Sequence, residues 1–523
     1  MPSLATCAQV VVLLAAGVCG KANLPPIPSD VSTPVQQRIA VHGPNTSRHH
    51  GDSVSWNTYK KLRKACVRYG VRNGEDDYAQ CALTQNVCSP ASAQTYPSSR
   101  TYFHSVTITD LLPATKYCYQ IVSTNSTRAS FQSPRPAGDR TPFTMNAIID
   151  LGVYGEDGYT IKNDKHKRDT IPHIPPSLNH TTIDRLAQTI NDYEFIVHPG
   201  DLAYADDWLL KEHNVLEGRD AYQAILEQFY DQLSPIAARK PYMASPGNHE
   251  ASCQEIPWTT EFCPKGEHNF TDFMTRFGSS MPPSFVSTSR NTQARINANK
   301  AQHLSKPPFW FSFEYGMAHI VMIDTETDFP RAPESPFGEA QLNSGPFGAP
   351  NQQLEFLEAD LASVDRTVTP WLIVAGHRPW YTASDSACKP CQDAFEPLLH
   401  KYGVDLAIFG HVHNSQRFLP VYKGKADRAG MDNPTAPMYI VAGGAGNIEG
   451  LAKVPKEGRP AYTAFAYGED FAYATVSFED AQNLRVDFVR SATGEVVDSS
   501  RLKKRHDVQF VNQSAEAFQA AET

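Results

Sequence analysis

The sequence predicts two regions of different fold class: a large α/β (α+β) domain, preceded by a smaller all-β domain. The chain has 523 residues, which is enough for two large domains or about three average ones. Residues 34–135 consist of short runs rich in β-branched and aromatic residues, separated by turn-forming residues. From residue 140 onward, apolar strands alternate with amphipathic helices, which is typical of an α/β sheet. The proline-containing run 133–136 is the expected linker.

The composition is that of a globular protein with an acidic surface. Hydrophobic residues make up 41% of the chain and charged residues 20%. Lys and Arg together number 47 against 56 Asp and Glu, so the net charge is −9. Nucleic acids and anionic membranes require a basic surface, so neither is expected as a main partner. A small anionic substrate is compatible with this charge, because a bound metal ion can supply local positive charge.

The N-terminus carries the features of a secretion signal. Residues 1–20 contain no charged side chain, and the short apolar run 10–18 is followed by the small residues Gly20 and Ala22. We therefore expect a signal peptide at residues 1–20 and a secreted, extracellular protein. The alternative, an N-terminal membrane anchor, needs a longer apolar run, and no later stretch reaches the length of a membrane span. Secretion also predicts N-glycans at five sequons, which begin at Asn45, Asn125, Asn179, Asn269 and Asn512.

The cysteines agree with an oxidising compartment. Of the ten cysteines, two lie within residues 1–20, and the other eight fall into three clusters with an even number in each. Local pairing is expected for Cys253 with Cys263 and for Cys388 with Cys391. The latter pair, in a Cys-Lys-Pro-Cys run, also fits a redox or zinc motif, but a structural bridge is favoured in a secreted chain.

The all-β region is predicted to contain five strands, at residues 37–42, 53–58, 65–70, 102–109 and 117–123. The run 111–117 resembles the fibronectin type III signature around its tyrosine corner. Alternation along the last strand places Cys118 on the opposite face from Tyr117.

Four cysteines belong to this region, and their pairing stays open at this point. A bridge from Cys66 to Cys118 would join neighbouring predicted strands. That bridge would leave Cys81 to pair with Cys88. We take this arrangement as a hypothesis for the structure to test.

The second region combines both element types. Its predicted strands are 143–149, 195–197, 242–244, 371–375 and 406–409, and its predicted helices are 182–191, 351–365 and 392–401. Residues 309–315 and 319–324 form a predicted hairpin, and 472–497 is predicted to form two or three antiparallel strands. Residues 251–308 and 327–350 are predicted to be long, proline-rich loops that shape the mouth of a site.

Polar side chains follow five of the predicted strands directly. In chain order they are Asp150; Asp201 and Tyr204; Asn248 and His249; His377; and His411 and His413. A glycine lies within two residues of each segment and allows the backbone to turn sharply there. Because ligands bind at the carboxyl ends of strands in α/β sheets, we expect these side chains to converge on one site.

This set of side chains can hold two metal ions. Carboxylate, imidazole, amide and phenolate groups are hard to borderline donors that suit iron, zinc or manganese. One aspartate can bridge two ions about 3.5–4 Å apart through its two oxygens. Each short motif arises by chance on its own, and a single histidine after a strand is usually structural. The ordered combination of all five predicts a binuclear metal centre.

The ordered motifs DxG, GDxxY, GNHE, VxxH and GHxH resemble those of the calcineurin-like metallophosphoesterases, specifically the purple acid phosphatases. The resemblance covers nearly the whole chain after residue 20, includes the late run 443–450 (GGAGNIEG), and is most similar to secreted fungal members. It implies a metallophosphoesterase sandwich of mixed sheets flanked by helices at 140–505, a fibronectin type III-like β-sandwich domain at 34–135, and a C-terminal tail at 506–523.

The resemblance also implies a ligand set for the two ions. Asp150, Tyr204 and His413 would hold a ferric ion, Asn248, His377 and His411 would hold a divalent ion of iron, zinc or manganese, and Asp201 would bridge the two. Related serine/threonine phosphatases carry a histidine at the position of Gly152, and Tyr204 would supply the missing ligand here. A phenolate favours ferric iron, and its charge-transfer band gives the family its colour.

The implied activity is that of an acid phosphatase, in which a metal-bound hydroxide attacks a phosphate monoester in line. His249, whose family counterpart binds no metal, would contact phosphate and protonate the leaving alkoxide, or else orient a ligand. Glu250 is expected to orient His249 or a ligand, and His198 to be structural. Plant members carry two further histidines soon after the position of His377, whereas residues 378–388 contain none.

Two other functions stay open at the level of the sequence. One is a phosphodiesterase of the same superfamily, for which the loops at 251–308 and 327–350 would be decisive. The other is a non-catalytic secreted binding glycoprotein in which the metal site is a relic. The complete ligand set argues against a relic, because a relic is expected to have lost a ligand. Phytate, sugar phosphates, nucleotides and phosphoproteins are all compatible substrates, and the oligomeric state is not predicted.

Overall fold

The computed structural model describes residues 22–43, 50–72, 81–89, 92–155, 158, 181–211, 214, 218–252, 263–283, 285–335, 344–384 and 387–505. Several predicted features lie outside these residues, among them the signal peptide at 1–20, the C-terminal tail at 506–523, and the sequons at Asn45, Asn179 and Asn512. The other two sequon asparagines, Asn125 and Asn269, are exposed.

The front of the chain folds into two antiparallel sheets of four strands each, as predicted for an all-β region. The strands are β1 (Val35–Val41), β2 (His50–Thr58), β3 (Ala65–Val71), β4 (Gln85–Ser89), β5 (Ala93–Gln94), β6 (Tyr102–Leu111), β7 (Lys116–Ile121) and β8 (Arg128–Gln132). The sheet orders are β1-β2-β6-β5 and β4-β3-β7-β8, and the core between them contains Trp56, Val67 and Tyr119. The Tyr117 hydroxyl accepts a hydrogen bond of 2.8 Å from the Leu112 N–H, the contact expected of a tyrosine corner.

The disulfides of this region differ from the predicted pairing. Cys66 bonds to Cys88 and Cys81 bonds to Cys118, so the hypothesis of a Cys66–Cys118 bridge is wrong. The reason is strand register: Cys66 lies directly opposite Cys88 on β3 and β4, whereas Cys118 lies opposite Gly70. Strand β4 is not among the strands that the sequence predicts, which left Cys88 without an expected neighbour.

The rest of the described chain forms two larger mixed sheets and the helices that flank them, joined by turns and loops. The strands are β9 (Phe143–Ala147), β10 (Phe195–Pro199), β11 (Tyr242–Ser245), β12 (Phe311–Tyr315), β13 (Ala318–Met322), β14 (Trp371–Ala375), β15 (Leu406–Phe409), β16 (Ser415–Phe418), β17 (Val421–Tyr422), β18 (Lys425–Ala426), β19 (Met438–Ala442), β20 (Thr463–Tyr467), β21 (Ala472–Phe478), β22 (Asn483–Arg490) and β23 (Val496–Lys503). The six-stranded sheet has the order β11-β10-β9-β21-β22-β23, and the seven-stranded sheet the order β12-β13-β14-β15-β19-β16-β20. Strands β17 and β18 form a separate two-stranded ribbon.

The two large sheets contain the parallel strands that position the site. Strands β9, β10 and β11 run parallel in the first sheet, and β13, β14, β15 and β19 run parallel in the second. Aromatic contacts between Phe195 and Phe313 and between Phe143 and Tyr315 join the sheets in one core. The residues of β10, β14 and β15 are all buried, as expected for parallel strands covered on both faces. The predicted sandwich of mixed sheets with flanking helices is confirmed.

The helices show where the sequence pattern was too weak to interpret. They are α1 (Thr181–Gln188), α2 (Gly218–Ala237), α3 (Thr271–Phe277), α4 (Thr292–Leu304), α5 (Gln352–Leu361) and α6 (Lys389–Lys401). Helices α3 and α4 contradict the prediction that 251–308 is a loop region throughout. The buried residues of α4 are the small residues Ala294, Ala298 and Ala301, so its apolar stripe is faint in the sequence. Among the described helices, none pairs the length with the apolar character that crossing a bilayer requires.

Two further predictions concern the disulfides outside the all-β region. The Cys388–Cys391 bridge is confirmed, and it lies at the start of α6. Cys253, the predicted partner of Cys263, lies outside the described residues.

Candidate metal centre

The five strand ends meet between the carboxyl edges of the two large sheets. Asp150, Asp201 and Asn248 follow β9, β10 and β11 of the six-stranded sheet. His377 and His411 follow β14 and β15 of the seven-stranded sheet. The site is therefore shared by two sheets, and each sheet contributes some of its side chains.

Tyr204 lies at the centre of one half of this cluster. Its hydroxyl oxygen is 2.9 Å from Asp150 Oδ1 and 2.9 Å from His413 Nε2. The same oxygen is 3.3 Å from Asp201 Oδ2. Asp150, Asp201 and Tyr204 are buried, and His413 is half-buried. A phenol, two carboxylates and an imidazole thus share one small volume, which is a donor set suited to a hard, highly charged cation.

His377 lies at the centre of the other half. Its Nε2 is 2.9 Å from Asp201 Oδ2 and 3.1 Å from Asn248 Oδ1. Asp201, His377 and His411 each place one potential ligand atom within 4.8 Å of the others. Asp201 Oδ2 is therefore in contact with both halves, through the hydroxyl of Tyr204 on one side and the imidazole of His377 on the other.

The backbone of the cluster is held in an uncommon conformation. Four of the non-glycine residues that carry its side chains have left-handed φ angles: Asp150 (59°), Asp201 (53°), Tyr204 (56°) and His411 (64°). Each such residue costs about 1–3 kcal/mol unless the surrounding structure compensates for it. Four of these residues within one small volume indicate that the fold aims these side chains at a common point.

The absence of a side chain at Gly152 explains the place of Tyr204. Gly152 has φ of 65°, and a Cβ at this position would lie 2.6 Å from the Cα of Asn447. No histidine fits there in this backbone. The hydroxyl of Tyr204, which is in contact with Asp150, provides a donor from the neighbouring strand end instead.

The late run 443–450 closes over this part of the cluster. The side-chain amide of Asn447 donates to the backbone carbonyl of Asp150 at 3.2 Å. Glu449 Oε2 lies 3.5 Å from His413 Nδ1. The run therefore contacts the candidate ligands Asp150 and His413. Such contacts commonly fix the orientation of metal ligands.

The titratable side chains of the cluster have strongly shifted pKa values, in opposite directions. Burial raises the pKa of Asp150 well above its usual range. Burial also opposes ionisation of Asp201, but His377 and His249 outweigh it and hold the Asp201 pKa well below its usual range. Burial lowers the pKa of His413 to about 4, whereas Asp201 overcomes burial at His377 and raises that pKa to about 9. A cation among these groups would take the place of the protons they share, so the donor set fits a metal centre.

His249 borders the cluster and is held by a residue that sequence reasoning missed. Its Nδ1 is 2.8 Å from both carboxylate oxygens of Asp206, and its Nε2 is 3.9 Å from Asp201 Oδ2. Burial lowers the pKa of His249, but Asp206 and Asp201 outweigh it and raise that pKa well above its usual range. Asp206 therefore fixes Nδ1 and leaves Nε2 facing the site. The available signal was its place two residues after Tyr204, in the same strand-end loop.

Glu250 acts on the backbone of the site. Its carboxylate accepts hydrogen bonds from the N–H groups of Asp201 (3.0 Å), Leu202 (2.7 Å) and Gly247 (2.9 Å). Of the two expected roles, the structure supports orientation of the loop that carries the candidate ligand Asp201. The orientation of His249 comes from Asp206.

His198 is the fourth of the five residues of β10, and its side chain is buried. Its Nδ1 is 2.6 Å from the hydroxyl of Tyr242, and burial lowers its pKa to about 3. A neutral, buried imidazole with a tyrosine partner agrees with the expected structural role.

The segment after His377 contains no histidine, but its first residue, Arg378, contacts the cluster. Arg378 is 8% exposed, and its Nε donates to Glu326 Oε2 at 2.7 Å. Its Nη1 lies 3.1 Å from His411 Nε2, and its backbone N–H donates to Thr325 Oγ1 at 2.8 Å. Sequence reasoning missed both charged residues. The available signals were the position of Arg378 directly after a candidate ligand and of Glu326 after β13, the strand beside β14.

Comparison with known proteins agrees with this geometry. A model described as "Purple acid Phosphatase, N-terminal domain" matches residues 34–134, and the "Calcineurin-like phosphoesterase" model matches residues 172–415. A third model, "Iron/zinc purple acid phosphatase-like protein C", matches residues 436–499. "Acid phosphatase A" of Cryphonectria parasitica is 59% identical over 507 residues, which is 96% of this chain and 98% of that protein.

More distant relatives extend the same result. "Acid phosphatase" of Aspergillus ficuum is 30% identical and matches 80% of this chain and 78% of that protein. The solved structure of a purple acid phosphatase from yellow lupin (Lupinus luteus) seeds shares the fold, with a TM-score of 0.62 at 23% identity over 90% of this chain and 75% of that chain. From the domain matches and the identity to a relative of nearly equal length, the chain belongs to the purple acid phosphatase family.

Proposed function

We propose that this protein is a secreted acid phosphatase that hydrolyses phosphate monoesters at a binuclear centre of Fe(III) and a divalent ion of iron, zinc or manganese. The observation that carries the proposal is the shared position of Asp201 Oδ2. It lies 3.3 Å from the hydroxyl of Tyr204 and 2.9 Å from His377 Nε2, so one carboxylate faces two separate groups of donors. Acid phosphatases among the fungal relatives support the same activity.

The proposed ligands divide along these two groups. Asp150, Tyr204 and His413 would hold the ferric ion, Asn248, His377 and His411 the divalent ion, and Asp201 both. When bound, two such ions lower the pKa of coordinated water and neutralise charge on the oxygens of phosphate. Three anionic side chains against a trivalent and a divalent cation leave the centre positive, which suits a phosphate ester on a protein with net charge −9.

His249 is the proposed proton donor to the leaving alkoxide. Asp206 holds its Nδ1 at 2.8 Å, which leaves Nε2 on the side of Asp201. The neighbouring carboxylates favour the protonated imidazolium, the form that can give a proton away. His249 can then contact phosphate and protonate the departing oxygen with the same nitrogen.

We also propose the domain limits and the location implied by the sequence. Residues 34–135 would form the fibronectin type III-like domain, and 140–505 the catalytic domain. Secretion is supported by the bridges Cys66–Cys88 and Cys81–Cys118, which suit an oxidising compartment. Exposed sequon asparagines at Asn125 and Asn269 are compatible with N-glycans.

A visible spectrum of the purified protein, recorded with elemental analysis of the same sample, tests the proposal. We expect a broad visible band, about two metals per chain including iron, and faster hydrolysis of a phosphate monoester than of a diester at acid pH. Tyr204→Phe should abolish the band. The matched control is Tyr242→Phe, which removes an equally buried hydroxyl that contacts His198 and should keep the band.

Other outcomes separate the parts of the proposal. A colourless sample with two zinc or manganese ions and full monoesterase activity would contradict the ferric–phenolate assignment but keep the phosphatase. A preference for diesters would contradict the substrate class. A protein that takes up no metal on reconstitution would overturn the metal centre itself.

A further inference from the structure

The guanidinium of Arg378 is a buried positive charge at the candidate centre for which the proposed function has no role. We propose that, once metal has bound, Arg378 binds the phosphate group of the substrate on the side of the divalent ion. This inference rests on the proposed function. It begins from a contact that metal binding must break: Arg378 Nη1 lies 3.1 Å from His411 Nε2.

Arg378 is held close to the site from two directions. Its Nε donates to the buried carboxylate of Glu326 at 2.7 Å, and its backbone N–H donates to Thr325 Oγ1 at 2.8 Å. Thr325 Oγ1 also accepts from the backbone N–H of His377 at 3.2 Å. The guanidinium is thus tied to the loop that carries a candidate ligand, and its side chain is only 10% exposed.

The contact with His411 is incompatible with a metal on either nitrogen of that ring. A guanidinium only donates hydrogen bonds, so the contact requires a lone pair on His411 Nε2. A metal on Nε2 would use that lone pair. A metal on Nδ1 would leave the proton of the neutral ring on Nε2, and two N–H groups would then face each other. In both cases metal binding releases Nη1 of Arg378.

Once released from His411, the N–H groups of Arg378 Nη1 would bind an anion most favourably. Glu326 accepts from Nε, so the guanidinium would stay anchored next to His411, a member of the cluster with Asp201 and His377, and its Nη1 would be available to a ligand there. A phosphate ester there would present its oxygens to these donors, and arginine suits phosphate because of its planar fork of donors. The charge of arginine persists at all pH values at which the enzyme would work.

The test combines a charge-neutral double variant with a conservative one. Arg378→Gln with Glu326→Gln removes both charges of the ion pair, whereas Arg378→Lys keeps the positive charge but not the planar fork of donors. The matched control is Arg366→Gln with Asp405→Asn, a pair whose arginine is 6% exposed and lies at the opposite end of β14. Each protein is analysed for metal content, for binding of inorganic phosphate by calorimetry, and for kcat and KM on a monoester.

We expect the double variant to keep about two metals per chain and to bind inorganic phosphate about 10- to 100-fold more weakly. KM should rise by a similar factor, and kcat should fall less. Arg378→Lys should recover part of the affinity, and the Arg366 control should match the unaltered protein. In metal-free protein, where His411 still holds Arg378, the double variant and the unaltered protein should bind phosphate equally weakly.

Two results would overturn the inference. One is a double variant with full metal content and phosphate affinity within twofold of the unaltered protein. The other is loss of metal from the double variant while the control keeps it, which would make Arg378 a positioning residue for His411. Failure of the proposed function is distinct from both, because it appears in the unaltered protein itself, as absence of bound metal or as a preference for diesters.

Discussion

Two buried histidine–carboxylate pairs in this protein look alike by distance but differ in what surrounds them. At the candidate centre, His377 Nε2 lies 2.9 Å from Asp201 Oδ2. On β13, His319 Nε2 lies 2.8 Å from Asp360 Oδ2. Both imidazoles are 0% exposed, and at both the carboxylate partners overcome the effect of burial and raise the pKa to about 9.

The surroundings of His319 place a carboxylate beside each of its two nitrogens. Glu314 lies directly opposite on the β12–β13 hairpin, with Oε1 3.6 Å from His319 Nδ1. Asp360 accepts a hydrogen bond of 2.5 Å from Ser312, and the ring of Phe285 meets the imidazole edge-on at 4.6 Å. Each nitrogen of His319 faces its own carboxylate, within regular strand geometry. This is the pattern of a histidine that stabilises the fold.

Around His377, more than one potential metal-ligand oxygen approaches the same nitrogen. Asp201 Oδ2 contacts both His377 and Tyr204, and Asn248 Oδ1 competes for the same nitrogen of His377. Asp201 and Tyr204 also have left-handed φ angles, which regular strands avoid. The comparison shows that burial and a raised pKa do not distinguish the candidate ligand His377 from His319. What distinguishes His377 is the crowding of potential metal-ligand atoms around it, on strand-end backbone with left-handed φ angles.

The largest expected effect comes from changing the carboxylate of Asp201 to an amide. Asp201→Asn removes the anion shared by both donor groups, so we expect loss of bound metal and a fall in kcat/KM of about 10³-fold or more. Metal content per chain and monoester hydrolysis measure both effects. Asp360→Asn is the matched control, since it alters an equivalent contact to His319 and should keep the metals. Full activity in Asp201→Asn would contradict the assignment of the centre.

A smaller effect is expected from Asp206→Asn. This change removes the charge that fixes Nδ1 of His249 but touches none of the proposed metal ligands. We expect kcat to fall about 10²-fold with metal content preserved, because the proton donor loses its orientation and its charged form. The pH profile of kcat separates this role from a structural one, since the limb that reports the acid should move to lower pH. An unchanged profile would remove His249 from the role of proton donor.

These same residues show which parts of the fold and of the candidate site the sequence predicts. Asp201 and His377 were predicted because each follows a buried strand beside a glycine, a signal confined to a few neighbouring positions. The fold class was predicted for a similar reason, since strand and helix periodicities are local. Asp206 also lay within such a segment, but an aspartate after GDxxY carries no local mark of its partner. Its role depends on a histidine 43 positions away in the chain.

The remaining misses share a physical cause. Glu326 and Arg378 form a pair only because β13 and β14 are neighbours in the sheet, which periodicity does not encode. Cys88 was mispaired because its strand has few apolar residues and lies at a sheet edge. Helix α4 was missed because alanines at close helix contacts give little hydrophobic contrast. Each miss concerns contacts between elements rather than the elements themselves.

For the pair of His319 and Asp360, we expect a substitution to lower the free energy of unfolding without lowering catalytic activity. Asp360→Asn leaves His319 buried beside an uncharged partner, and breaking a buried ion pair typically costs about 3–5 kcal/mol of unfolding free energy. We expect that decrease in urea denaturation, with activity per folded molecule unchanged. A change in specific activity with normal stability would place the His319 cluster in the function after all.

The smallest expected effect is a pH dependence of stability that belongs to His319 alone. Its pKa is raised to about 9 in the folded protein, because the carboxylates of Asp360 and Glu314 outweigh burial, against about 6.5 in the unfolded chain. A raised folded pKa stabilises fully below the unfolded value, and the contribution disappears as pH rises through about 9. The span corresponds to at most about 3 kcal/mol. His319→Gln should lack it, so the difference in unfolding free energy between the two proteins should shrink between about pH 6.5 and 9. If the difference stays constant across that range, His319 is neutral in the fold. Its pair with Asp360 would then resemble the pair of His377 with Asp201 only in the distance between the atoms.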